Sequence, residues 1–206
     1  MSTKRQYKSR PAVIPGLTIQ DDKIDQACRE CFFENRWKLE QLPATLGGYW
    51  HPDDEREVGG LLKHMERVVW FINKYCETFN VNNGTRDCML AAGFFHDISD
   101  VEIIKFERKA RIVDGKMQRE VILTRTDEEF DIHPQKSAEM ARKYLEKEGV
   151  PEEQIKRICS AVASHMSKFY PKMPQPTTME EKVVSLADYV MSDKRISLKL
   201  EERAYT

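Results

Sequence analysis

The run AAGFFHDISD places the tightest constraint on how this chain folds. Residues 88–95 (CMLAAGFF) are apolar or small, with the composition of a buried helix, and they lead directly into His96-Asp97. A carboxylate at the end of such a helix is costly to bury unless it is paired or bound to a cation. Read alone, the pair is also an ordinary helix-terminal histidine and an Asx turn. Its weight comes from company.

His64, His133, His165 and Asp188 repeat the pattern, each on or at the start of a stretch with helical periodicity and apolar flanks. Any one of them reads as a satisfied core residue or a residue ahead of a helix. Together they are four of the five histidines and two carboxylates on five helical segments. Helical bundles build metal sites from inward-pointing side chains of facing helices. Imidazole and carboxylate suit Zn, Mn, Fe, Co and Ni, with Mg relying on the oxygens.

The rest of the pattern predicts what surrounds them. Apolar stripes predict helices over 19–40 and 60–79, and Thr85 is a cap for a third helix through about Ile98, after VNNG closes the second. Asp114-Gly115 between two β-rich runs predicts a hairpin inserted at about 106–126. Helices follow at 134–148, at 151–167, and from a Thr177 or Thr178 cap through about Met191. The fold class expected is all-α: a helical bundle with one small β-hairpin, forming a single domain over 18–206 behind a flexible, basic arm at 1–17.

Bulk composition excludes more than it assigns. A net charge of -1 gives no global electrostatic case for nucleic acid, although Arg108, Lys109, Arg111, Lys116, Arg119 and Arg125 concentrate basic charge on the hairpin. No apolar run nears the ~18 residues of a membrane span, and the start lacks the apolar core of a secretory signal. Five cysteines, with Cys28-x-x-Cys31 the only close pair, fit a reducing compartment and structural roles. The expectation is a cytoplasmic protein with no membrane partner.

The order His64, His96-Asp97, Asp188 resembles the H…HD…D signature of the HD-domain metal-dependent phosphohydrolase superfamily, over about residues 46–194. Gly59-Gly60-Leu61-Leu62-Lys63-His64 looks like the GGLLEH motif of its 3′–5′ exoribonuclease-like subgroup, and Ser185-Leu186-Ala187-Asp188 like its closing motif. This resemblance implies an HD-type fold and two divalent ions (Mn, Fe, Co, Ni, Zn or Mg). His64, His96, Asp97 and Asp188 would hold one ion and His133 and His165 the other, with Asp97 as bridge. It implies a phosphohydrolase in which a metal-activated hydroxide cleaves a phosphoester of a nucleotide or nucleic-acid end, with Asp97 and His96 as the catalytic pair. The same ligand set also resembles the di-iron oxygenases of the superfamily, such as myo-inositol oxygenase. A non-catalytic nucleotide-binding module is the third reading.

Many members of the superfamily read HDIGK at the signature, whereas this chain reads His96-Asp97-Ile98-Ser99-Asp100, so a phosphate-binding cation must come from elsewhere. Lys136 and Lys168, one turn after His133 and three residues after His165, are the expected substrate contacts, with Lys105 and Lys172 as further candidates. His51 is expected to line the pocket, and Tyr49-Trp50 or Phe169-Tyr170 to stack on a base. Phe32, Phe33 and Trp37 on the first helix suit a homodimer.

Overall fold

The computed structural model describes residues 12–47, 50–113, 116–168, 173–196 and 198, and the side chains of these except 111–113, 116, 118–120 and 168. The fold is the expected all-α bundle with one hairpin. Its longer helices are α1 (Asp22–Gln41), α2 (Gly60–Thr78), α3 (Asn83–Phe95), α6 (His133–Lys147), α7 (Glu152–Ala163) and α8 (Met179–Met191). Short helices α4 (Asp100–Ile103) and α5 (Asp127–Asp131) flank strands β1 (Lys105–Val113) and β2 (Lys116–Thr124). Single 3-10 turns occupy Asp53–Glu55 and His165–Lys168.

A helix without a polar face has to be surrounded, and α3 is. Met89, Leu90, Ala91, Ala92, Phe94 and Phe95 are all fully buried, and α1, α2, α6, α7 and α8 pack around them. The outer helices bury one stripe each. On α2 that stripe is Leu61, Met65, Val68, Val69 and Ile72, while Lys63 and Lys74 face solvent. Because α3 runs through the centre, whatever stands at its C-terminus stands at the heart of the bundle.

Local chemistry sets the boundaries. Asn82, not Thr85, caps α3: its side chain accepts from the Thr85 amide, so part of VNNG opens α3 as well as closing α2. Thr178 and Glu181 form a reciprocal capping box on α8. The 151–167 helix ends at Ala163, leaving His165 in the 3-10 turn that follows. The hairpin pairs Lys105 with Thr124 through to Val113 with Lys116, framing Asp114-Gly115, which lie outside the described residues. Its root is anchored by Phe106 and Leu123 against the core, with the Phe106 ring 5.3 Å from Trp37.

Two expectations are corrected by packing. Phe32 is buried in the core, because α1 turns that side inward; Phe33 and Trp37 remain exposed. Of the expected arm, Val13, Ile14 and Leu17 are buried against the body, so residues 12–17 are packed there rather than free. Among the described residues, no helix is long and apolar enough to cross a membrane.

Candidate metal centre

His96, His133 and His165 are placed by one repeated device. Each stands just beyond the last turn of a helix and donates from Nδ1 to the carbonyl three residues earlier. His96 donates to Gly93 (2.8 Å) at the end of α3, His133 to Phe130 (2.5 Å) at the end of α5, and His165 to Val162 (2.7 Å) at the end of α7. Those carbonyls are among the ones a helix leaves without internal partners. A carbonyl can only accept, so Nδ1 carries a proton, and in the neutral ring Nε2 is left as a lone pair. His64, on α2, has its Nδ1 3.2 Å from the Glu55 carboxylate, which likewise leaves Nε2 facing inward.

These Nε2 atoms converge on two carboxylates. Asp97 Oδ2 lies 3.2 Å from His96 Nε2 and 3.8 Å from His64 Nε2. Asp97 Oδ1 lies 3.3 Å from both His133 Nε2 and His165 Nε2. Asp188, from α8, puts Oδ1 3.1 Å from His64 Nε2 and 3.9 Å from His96 Nε2. Asp97 therefore belongs to two donor groups, His64–His96–Asp97 and Asp97–His133–His165, both buried.

The donor set fits metal ions. His133 Nε2 and His165 Nε2 face each other at 3.2 Å, two lone pairs with no proton between them once both Nδ1 atoms carry theirs. His96 Nε2 and Asp188 Oδ2 are buried without a hydrogen-bond partner, and such atoms are expensive to leave unmatched. Burial alone would raise the Asp97 carboxyl, but His96, His133 and His165 hold it well below the usual range. Burial alone would lower His64, yet Glu55 and Asp188 raise it well above its ordinary value. The site calls for positive charge among these atoms, as protons or as cations.

A second layer holds the donors. Glu55, fully buried, accepts from His51 Nδ1 (2.9 Å), is 3.2 Å from His64 Nδ1, and pairs with Arg67 at 2.5 Å. Burial would raise its carboxyl; His64 and then His51 bring it well below the usual range. His51, Glu55 and His64 also have donor atoms close enough for an ion, but the Nδ1 atoms are spent on Glu55, so the three read as a hydrogen-bonded chain. Glu55 reaches this place because of Gly59-Gly60. Gly59 has φ +78°, and a Cβ on Gly60 would fall 1.9 Å from the Glu55 carbonyl oxygen. Ser99 and Ser137 hydrogen-bond each other, and Ser99 Oγ donates to the His133 carbonyl, tying the turn after His96-Asp97 to α6.

A cavity of about 310 Å³ opens over Asp97, His133 and Asp188. His51 and Trp50 line it, together with Asp100, Arg125, Phe130 and Met166. Lys136 does not. Ser137, four residues after His133, takes the inward position, so Lys136 is turned about 100° away around the helix. Lys105 is largely exposed and pairs with Glu129. The side chain of Lys168, and Tyr49, Phe169, Tyr170 and Lys172, lie outside the described residues.

Sequence reasoning missed Glu55 and Arg67, which sit in a loop and on a helix whose acidic and basic residues look solvated; the one available signal is the i,i+4 spacing of His51 and Glu55. It also gave Arg125 to the hairpin's basic surface rather than to the cavity.

The HD domain family's model matches residues 61–193, the segment that carries all six converging donors. Comparison with curated proteins and with solved structures gave no match.

Proposed function

The chain belongs to the HD domain family, and on that premise we propose that it is a metal-dependent phosphohydrolase cleaving a phosphoester of a nucleotide or nucleic-acid end. His64, His96, Asp97 and Asp188 would hold one divalent ion and His133 and His165 the second, with Asp97 shared between them. The observation that carries this reading is the division of Asp97: Oδ2 faces His96 and His64, and Oδ1 faces His133 and His165. A carboxylate placed so has one oxygen for each of two ions. Divalent ions in such a set activate water and neutralise phosphoryl oxygens as charge develops.

The protein's own part is preorganisation. The backbone carbonyls of Gly93, Phe130 and Val162 fix three imidazoles in the tautomer and orientation that present Nε2, a role that conserves metal affinity in such sites. Ser192 donates to Asp188 Oδ1 (3.2 Å) and fixes that carboxylate in turn. His96 and Asp97, adjacent in sequence, bring an imidazole and a carboxylate to 3.2 Å of each other, with Asp97 lining the cavity. Above them the cavity has apolar and aromatic lining, Trp50, Phe130 and Met166 beside Ala44, which suits a base. Its volume matches a small nucleotide or one terminal residue of a chain.

The test is phosphate or nucleotide release by protein loaded with Mn, Fe, Co, Ni, Zn or Mg. The panel is dNTPs, NMPs, cyclic dinucleotides and short oligonucleotides, with Asp97→Ala as control. Turnover that Asp97→Ala abolishes is expected. Equal release by both proteins refutes the reading, as does oxygen consumption by the iron form in place of hydrolysis.

A further inference from the structure

We propose that Arg125, held in place by Asp100, is the cation that binds the substrate's phosphate beside the metal centre, which makes the end of the inserted hairpin part of the active site. This rests on the phosphohydrolase reading above. Among the described residues lining the cavity, Arg125 is the only lysine or arginine, whereas the carboxylates Asp97, Asp100 and Asp188 all reach it. Asp97 and Asp188 face imidazoles, and Asp100 faces Arg125. Among the described residues, Arg125 is thus the fixed cation that an anionic substrate entering this cavity meets.

The guanidinium is held on two sides. Nη1 lies 3.2 and 3.4 Å from the two Asp100 oxygens, and the central carbon sits 4.4 Å above the Phe130 ring. Among the described residues, the hydrogen bonds of Arg125 run through Nη1 to Asp100, which leaves Nη2 and Nε as donors for a ligand. A planar fork of N–H groups matches two oxygens of a phosphate. The side chain is only 10% exposed, and this partly desolvated position strengthens such a contact.

Backbone structure sets the position as well. Thr124 is the last residue of β2, and Thr126 caps α5 through a reciprocal box with Glu129, so Arg125 is clamped between a strand end and a helix start. The same short helix ends at the carbonyl that fixes His133, and the Phe130 ring under Arg125 also stacks on the His133 ring (centroids 5.2 Å, interplanar angle 29°). One aromatic ring thus spaces the proposed phosphate-binding cation from a metal-facing imidazole.

The experiment uses inorganic phosphate as probe, titrated calorimetrically into Mn-loaded protein whose metal content is measured in parallel. Arg125→Gln should weaken phosphate on the order of tenfold to a hundredfold, the scale of one or two charge-assisted hydrogen bonds. Arg125→Lys should recover part of that loss, and Lys136→Gln should bind within about twofold of wild type, with metal content unchanged throughout. If Arg125→Gln melts early or loses metal, Arg125→Met, which keeps an aliphatic stem against Phe130, takes its place. Asp100→Asn should weaken phosphate less, and the double variant should be no weaker than Arg125→Gln alone, because Asp100 is a positioning residue that acts through Arg125. Phosphate affinity of the Arg125 variants within twofold of wild type overturns the assignment, and additive losses overturn the positioning role. If metal-loaded wild type does not bind phosphate at all, the phosphohydrolase reading fails and this assignment falls with it.

Discussion

A single methyl group added at Gly60 tests whether the loop carrying Glu55 is pressed onto α2 as described. The Cβ of Gly60→Ala would lie 1.9 Å from the Glu55 carbonyl oxygen, 2.4 Å from its carbon and 2.8 Å from its Cα. All three are backbone atoms, so no rotamer change relieves the clash, and the 53–55 turn must shift by on the order of 1 Å to restore contact distance. Overpacking of this kind costs about 1–3 kcal/mol, and rigid neighbours put it at the upper end. Alanine returns up to ~1 kcal/mol by restricting the unfolded chain. The net loss is then about 2 kcal/mol, or roughly a 4–8 °C drop in Tm for a domain of this size. Gly47→Ala is the control, since a Cβ there meets nothing within 4 Å and its φ is not positive. Calorimetric melts of the chelator-treated proteins should separate the two variants by that margin. Displacing Glu55 also releases His64 Nδ1, so Gly60→Ala should bind Mn or Zn more weakly than Gly47→Ala. Equal melting temperatures for the two variants would refute the close packing of Gly60 on Glu55, and with it the reason given for the paired glycines.

Glu55→Gln, which removes the charge that His51, His64 and Arg67 share, should lower divalent-metal affinity by roughly tenfold to a hundredfold, read by competition with a chromophoric chelator; unchanged affinity would count against the orienting role. Glu181 gives a pH prediction. Burial alone would raise its carboxyl, but Ser160 and the amides of Thr177 and Thr178 bring it down from 4.5 to about 2. A depressed carboxylate contributes stability above its unfolded value that is lost as pH falls through the folded one, so this contribution, at most about 3 kcal/mol, should be whole at pH 7 and fade below about 4.5. Glu181→Gln should therefore melt well below wild type at pH 7, with a gap that narrows as pH falls below about 4.5 and closes only near pH 2, and a gap independent of pH would contradict the assignment.

Helices were legible wherever an apolar stripe at 3.6-residue spacing decided the matter, as in α2 and α6, and the hairpin wherever Asp114-Gly115 separated two β-rich runs. The six converging donors were legible for a related reason: imidazoles and carboxylates on apolar flanks stand out because burying them is costly. Residues whose polar surroundings look like surface were not. Glu55 and Arg67 are buried against each other, yet each lies among charged neighbours in sequence. Arg125 follows a run of basic hairpin residues and differs from them only in where β2 ends. Lys136 was misread because helical spacing alone puts both i+3 and i+4 near His133, and the Ser99–Ser137 hydrogen bond is what chooses between them. Phe32 looked exposed beside Phe33 and Trp37 because α1 has apolar residues on both its faces.

The central claim is that Asp97 is shared between two ions. Its most direct test is the number of divalent ions retained per chain after saturation with Mn or Zn and desalting, measured by elemental analysis on wild type and His133→Ala. Two ions per chain in wild type and one in His133→Ala is the result predicted. One ion or none in wild type, or two still tightly held without His133, would contradict it.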